Sequence, residues 1–414
     1  MRTHVFEILS NLQRMGHSVR YLNGTSYTTG SISKLGMGTE KNHERSVWSR
    51  VIRMATASPF KGEALLLWSL VREMRNFLTA TGTVIRRRPD VIYSRHTYFN
   101  TDLCVARLFG IPTVKEVNAI GSDELKITGR SDRLALKIHH MIEKYTFSRA
   151  DRLTVVTPEL KHSLQSEFGV DPGKIIVIQN GANTDLFRPM NQAEARRKLG
   201  LDQDSGYICF VGALRVWQGV DYLIRSMRLV VKQCPKARLL IVGDGPIREA
   251  LHALAERIGV GPSVTFIGSV PYSEVPVYIN ASDVCVAPFI KKLDNKGGLC
   301  SLKMYEYLAC GKPCVMSRLK GIETVETGHG LSPVEPENVT ELAAAIIELL
   351  QDNGLRQRMG INGRYYVVHH QSWEKVAGRV AEVFRRVKQR RQRRIVTATG
   401  VKDKVGPGSS RRKY

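Results

Sequence analysis

The chain has 414 residues, 43% of them hydrophobic, and a formal net charge of +24. That length supplies two or three domains with a sizeable core. No apolar run approaches the roughly 18 residues a membrane span needs, and the first residues do not read as a signal peptide.

Seven cysteines (Cys104, Cys209, Cys234, Cys285, Cys300, Cys310 and Cys314) sit mostly in apolar runs, at spacings that match no zinc pattern. They predict reduced core residues in a cytoplasmic protein. The charge is uneven. From Arg385 to Tyr414 there are twelve Lys and Arg against one acid, close to half of the excess. Such a tail suits anionic lipid headgroups, nucleic acid or phosphorylated substrates. It lacks the interleaved aromatics and recognition fold of a nucleic-acid module, so a peripheral contact with an anionic membrane is the preferred reading.

Residues 3–15 place Val5, Ile8, Leu9 and Leu12 at helical spacing, and HSVRYLN (17–23) then reads as a short strand. Residues 25–50 are polar and irregular and predict a loop. A long helix over 60–88 has Leu65, Leu66, Leu70, Met74 and Leu78 on its apolar side. The next segments alternate: strand VIYSR, a helix near 99–109, strand PTVKEVN, a helix over 131–149, strand RLTVVT, helix PELKHSLQSEF and strand KIIVIQN. Residues 181–205 read as a linker. The alternation then restarts with strand YICFVG and helix GVDYLIRSMRLVVKQ. Strand ARLLIVG and a helix to about 258 follow, then strand VTFIG, helix SEVPVYINAS and strand VCVAPF. Helices over 337–352, 354–366 and 372–391 close the pattern, the last with Trp373, Val376, Val380, Val383 and Phe384 inward. Residues 395–414 have almost no core formers and predict disorder. Short β-rich runs alternating with helices, twice over, predict two tandem doubly wound parallel α/β domains with a cleft between them.

One stretch carries the most chemistry: KGGLCSLKMYEYLACGKPCVMS, residues 296–317. Gly297 and Gly298 permit a sharp bend. Ser301 is placed to cap a helix that Gly311 and Pro313 end. A helix start offers free N–H groups and partial positive charge to a phosphate, with Lys303 one turn in. Glu306 can accept two hydrogen bonds from a vicinal diol such as a ribose. Phosphate and ribose together describe a sugar nucleotide. A plain buried αβ unit with a solvated Lys and Glu accounts for this stretch equally well when it is taken alone.

The ordered set VIQNGANTDLFRP, FVGALRVWQGVDYLIRS, LLIVGDGPIREAL, VTFIGSVP, ASDVCVAPF and SLKMYEYLACGKPCV resembles the retaining glycosyltransferases of family 4, also called group 1, with the glycosyltransferase-B fold. The resemblance runs to about residue 390. It implies an acceptor-binding domain over 1–190, completed by a crossover helix at 372–391. A linker at 191–205 and a nucleotide-sugar domain at 206–371 follow, with a basic disordered tail at 392–414. It further implies hexosyl transfer from a UDP- or GDP-sugar to a lipid-linked, polysaccharide or small-molecule acceptor, with no metal required. Arg215, Lys303 and Glu306 are the expected catalytic groups. Donor contacts are expected from Gly212, Gln218, Gly243, Asp244, Gly245, Gly268, Ser269 and Val270, and from Gly298, Leu299, Cys300, Ser301 and Leu302. Acceptor contacts are expected from Arg95, His96, Glu116, Asn118 and Asn180.

The sequence departs from the family pattern in three places. Gly298 stands where the first of two glutamates bracketing seven residues is usual, Glu306 being the second. In G-A-L-R-V-W-Q-G, Ala213 and Gln218 replace the usual Arg and Lys, leaving Arg215, Lys303, Lys292 and Lys296 as candidate cations. The resemblance also implies a strand and Gly-Gly turn ahead of residues 3–19. The chain begins without them, for which a misassigned start codon or a truncation is the expected cause. These departures leave a second reading, a non-catalytic sugar-nucleotide-binding or partner protein of the same fold.

Overall fold

The computed structural model describes residues 2–20, 61–95, 101–123, 133–293, 297–322 and 329–399. The β-rich runs form two parallel sheets. β1 (Ile92–Arg95), β2 (Thr113–Val117), β3 (Arg152–Val155) and β4 (Ile175–Val177) lie side by side in chain order. The second sheet comprises β5 (Gly206–Val211), β6 (Ala237–Val242), β7 (Val264–Gly268), β8 (Val284–Ala287), β9 (Cys314–Ser317) and β10 (Leu331–Val334). Its spatial order is β10-β9-β8-β5-β6-β7. Strands β2, β3, β8 and β9 are buried along their whole length, because helices cover both faces of a parallel sheet.

In the first half the helices are α1 (Arg2–Arg14), α2 (Lys61–Arg87), α3 (Thr101–Leu108), α4 (Arg133–Arg149) and α5 (Pro158–Phe168). Local chemistry sets the ends of α5. Thr157 accepts the N–H of Leu160, Pro158 opens the first turn, and Gly169 closes it with φ 66°. Leu103, Phe147, Leu160 and Leu164 from α3, α4 and α5 pack on Leu153 and Val155. A separate cluster joins Ile8 and Leu12 of α1 to Val114, Ile178, Trp373, Val376 and Val380.

The second half contains α6 (Gln192–Lys198), α7 (Val220–Gln233), α8 (Arg248–Arg257), α9 (Val275–Ala281), α10 (Leu302–Ala309), α11 (Val339–Gln351), α12 (Asn353–His370) and α13 (Trp373–Thr399). Helix α13 returns to the first half and packs along α1. The crossing is pinned by backbone bonds from Ala182 N to Gln371 O (2.9 Å) and from Trp373 N to Ala182 O (3.0 Å). A Cβ at Gly181 would lie 2.3 Å from the Gln371 carbonyl, so only glycine admits this approach.

Several sequence expectations change. The linker at 191–205 contains helix α6, capped by Asn191 and held by Ala195 against Val277 and Ala281. Arg196 fastens it through the Ala281 carbonyl (3.0 Å) and Asp283 (2.8 Å). Two turns with one buried face leave too short a period to read. Residues 17–20 form no strand, since no described strand lies beside them; 21–23 and the loop expected at 25–50 lie outside the described residues. Met74 and Leu78 are 63% and 65% exposed, and Val84 is buried instead. Strand β10 was not expected from sequence. Helix α13 runs eight residues past the expected Arg391, through 392–399, which were assigned to a disordered tail. Arg, Gln and Ala there favour continued helix even where the apolar stripe has ended. Residues 400–414 lie outside the described residues.

Candidate active site

The second sheet changes direction between β5 and β8: the chain runs outward through β6 and β7, then returns to the other side of β5. Open parallel sheets bind ligands at such a switch point, beyond the carboxyl ends of the strands. Here three glycine turns meet. Gly243 N–H donates to the Gly268 carbonyl at 2.8 Å, and Leu214 N–H donates to the Asp244 carbonyl at 3.0 Å. A Cβ on Gly243 would fall 2.0 Å from the Gly212 carbonyl, and one on Gly245 would fall 2.2 Å from the Leu214 carbonyl. Of the glycines expected at the donor site, Gly243 and Gly245 are therefore ones where any side chain would collide with neighbouring backbone. Ser269 is exposed, and Val270 packs against the apolar cluster that holds Tyr272.

Helix α10 points its first turn into this crevice. Its apolar positions Met304, Tyr305, Leu308 and Ala309 are buried, which fixes the faces carrying Lys303 and Glu306. Ser301 holds the N-cap position, but its hydroxyl makes no capping bond, contrary to expectation. Lys303 Nζ lies over the rings of Phe210 (4.0 Å) and Phe289 (5.2 Å) and donates to Gln218 Oε1 at 2.5 Å. It also fills the space above Gly212, where a Cβ would be 2.7 Å from Nζ. Gln218, which replaces the family's usual lysine, thus binds the lysine that α10 supplies. Burial lowers the Lys303 pKa to about 7, with Cys314, Glu306 and Cys209 opposing.

Glu306 is 8% exposed and accepts the Tyr272 hydroxyl at 2.9 Å. Burial raises its pKa to about 7, opposed by that hydrogen bond and by Lys303. Glu7 of α1 reaches the same place, where its charge acts on both Glu306 and Tyr272; it is fixed by Asn183 at 2.8 Å and its pKa is raised by burial. Tyr272, Glu7 and Arg248, whose guanidinium stands beside Gly268 and 3.6 Å from Asp244, were all missed from sequence. Tyr272 lies just past the expected Gly268–Val270 turn, the one signal that pointed to it. Arg215 is exposed and stacks on Trp217 at 5.3 Å. Lys296 lies outside the described residues, and Lys292 is exposed.

The loop before α10 is held by the other half of the chain. Thr157 donates to the Gly297 carbonyl, and Asn180 donates through Nδ2 to the Cys300 carbonyl (3.1 Å) and through its N–H to Cys300 Sγ (3.3 Å). Leu299 N–H donates to the Lys320 carbonyl at 2.7 Å, and Leu302 packs on the cluster around α1 and α13. Gly298 has φ 65°, and a Cβ there would be 2.9 Å from Glu159 Oε2, so this backbone excludes a glutamate at 298 without rearrangement. Burial moves the Cys300 thiol up to about 11.

Of the expected acceptor residues, Arg95, Glu116 and Asn118 come together. Glu116 accepts Tyr93 and Asn118 (2.6 Å), with Arg95 at 3.8 Å and His4 at 3.4 Å. Burial lowers the pKa of His4. A small cavity between α1, β3 and α13 adjoins this cluster and contains neither Lys303 nor Glu306. Asn180 belongs to the loop contact above, and His96 lies outside the described residues. Among the described residues no cluster of three or more His, Cys, Asp or Glu could hold a metal ion, and no helix is long and apolar enough to cross a membrane.

Comparison with known proteins now bears on this geometry. Residues 1–186 match the model described as Glycosyltransferase Family 4, and residues 205–352 match Glycosyl transferases group 1. The chain belongs to the group 1, family 4 glycosyltransferases. It is 26% identical to the D-inositol 3-phosphate glycosyltransferase of Thermobispora bispora, over 83% of this chain and 82% of that one. It is 30% identical to a GDP-mannose-dependent phosphatidylinositol monomannoside mannosyltransferase of Mycolicibacterium smegmatis, over 59% of this chain and 64% of that one. Sucrose-phosphate synthase of Thermosynechococcus elongatus superposes with a TM-score of 0.62 at 23% identity, covering 76% and 78% of the two chains. HepE of Anabaena in complex with UDP gives 0.61 at 18% identity, covering 75% and 81%. These likenesses bear out the expected glycosyltransferase-B fold, and the family makes this chain an enzyme; the non-catalytic alternative is not favoured.

Proposed function

We propose that this glycosyltransferase moves a hexosyl group from a UDP- or GDP-sugar to an acceptor, with retention of configuration. The observation that carries the reading is the placement of Lys303 and Glu306 on one helix at the switch point, above the Gly212–Gly243–Gly268 turns. The α10 amides and Lys303 would receive the diphosphate, and Glu306 the ribose hydroxyls. Relatives that bind UDP or use GDP-mannose, by their own descriptions, support a nucleotide sugar as donor.

In the step we propose, the bond from the anomeric carbon to the phosphate oxygen breaks. An acceptor oxygen bonds to the same face, and its proton passes to the departing diphosphate. The transition state resembles an oxocarbenium ion, and the leaving group gains charge. Fixed donors and a cation aimed at that charge are the largest contribution a protein can make. Lys303 and the first turn of α10 would fill that role without a metal. Arg95, Glu116 and Asn118 would face a lipid-linked, polysaccharide or small-molecule acceptor.

Thermal-shift screening against UDP, GDP, ADP and their hexose conjugates tests the donor half of this reading. Bound ligand raises Tm by linkage. A rise with one nucleotide family, abolished in Glu306→Ala, is the expected result. No rise with any of them in the folded chain would sink the proposal.

A further inference from the structure

The outward side of α4 carries large apolar side chains in the open. Leu134, Ile138, Met141 and Tyr145 are 67%, 48%, 70% and 47% exposed. Spacings of four, three and four residues put them on a single stripe about 16 Å long. The opposite side of the same helix is buried. Phe147 packs edge-on against Phe168 at 5.1 Å, Thr146 is covered, and the Glu143 carboxylate accepts the N–H of Gly121 at 2.6 Å. Glu143 is the one acid of α4, so turning it inward removes negative charge from the outer side. What remains exposed beside the stripe is Arg133, Lys137 and Lys144 along one flank and Arg149 along the other. Arg149 stacks over the Tyr145 ring at 5.5 Å.

We propose that this side of α4 docks on an anionic lipid bilayer. An apolar ridge flanked by Lys and Arg, with no exposed carboxylate among the described residues of α4, matches the boundary between headgroups and acyl chains. The four apolar side chains enter the acyl region, and the long basic side chains reach back to the phosphates. A second copy of the chain is a poor occupant. Pairing two such faces would set cation against cation in a protein that already carries +24. The same half of the fold carries two more such features. Helix α3 exposes Leu108 (65%), and the Arg391 guanidinium, from the basic end of α13, lies against Gly110 just beyond it. Stable attachment takes two signals, and the stripe and the cations supply one each.

The test is sedimentation of the full chain with vesicles of phosphatidylcholine alone and of phosphatidylcholine with phosphatidylglycerol. The wild type is expected to sediment with the second and not the first. Ile138→Ser/Met141→Ser, with Tm unchanged because both side chains are exposed, is expected to weaken binding by more than about tenfold. Lys137→Glu/Lys144→Glu should do the same and flatten the salt dependence. Tyr145→Trp provides a direct probe, whose fluorescence brominated lipids should quench. The proposal is overturned by unchanged binding in the serine variant, by absence of quenching, or by no binding to phosphatidylglycerol vesicles. It is also overturned if the serine substitutions dissolve a dimer without affecting vesicle binding.

Discussion

Lys303→Met should stabilise the unliganded enzyme while damaging its nucleotide site. The lysine has a pKa of about 7 in the folded chain against an ordinary 10.5, because burial disfavours its charge. Folding therefore works against protonation. The cost is fully present below about pH 7 and is relieved as pH rises towards 10.5. In a dry site that gap would be worth several kcal/mol, at 1.36 kcal/mol per unit. The side chain is partly open to solvent, so we discount the cost to about 2 kcal/mol. Methionine fits the slot over Phe210 and Phe289 but deprives Gln218 of its donor, which takes back about 1 kcal/mol. The net expectation at pH 6 is a gain of about 1 kcal/mol, a rise of roughly 2–4 °C in Tm. That gain should fade by pH 9.5. Differential scanning calorimetry at the two pH values reads it. The same variant should bind UDP or GDP about 10- to 100-fold more weakly, since a charge-assisted bond is lost. A Met variant less stable at both pH values, or one that keeps wild-type nucleotide affinity, would refute the assignment.

Further expectations follow from other contacts. In the wild type, nucleotide affinity should decline as pH rises above about 7, because Lys303 must hold its proton to meet a diphosphate; calorimetry in buffers of differing ionisation enthalpy should show proton uptake on binding. Tyr272→Phe removes the hydrogen bond that opposes the burial of Glu306, so any acid limb of the rate profile due to Glu306 should move upward; an unmoved limb would detach Glu306 from it. Gly243→Ala should cost more than about 2 kcal/mol and abolish nucleotide binding, whereas Gly259→Ala, at φ 75° with open space around it, should cost only about 1 kcal/mol in urea unfolding. Asn180→Ala should loosen the 297–300 loop, read as faster amide exchange at Leu302 and Lys303 with little change in global stability.

Much of this protein was legible in its sequence because local chemistry settles it. β-rich runs flanked by glycines, with helices between them, admit little besides parallel α/β sheets. The buried spacing of Met304, Tyr305, Leu308 and Ala309 fixed where Lys303 and Glu306 must face. Glycines at 212, 243 and 245 were singled out; close backbone approaches explain Gly243 and Gly245, and the Lys303 side chain occupies the space at Gly212. What stayed hidden depends on pairs far apart in the chain. Nothing local to α1 says that the charge of Glu7 acts on Glu306, or that Gln218 accepts from a lysine 85 positions away. Spacing alone could not show that Arg215 stacks on Trp217 while Lys303 lies over Phe210, since both depend on how the 212–219 turn is set against α10. Likewise the α4 period showed a helix, but only packing revealed that it turns its acid inward and its apolar stripe out. Sequence determines most of the elements, short ones such as α6 and β10 excepted; the folded packing decides which of their side chains meet, because those contacts depend on how the chain closes on itself.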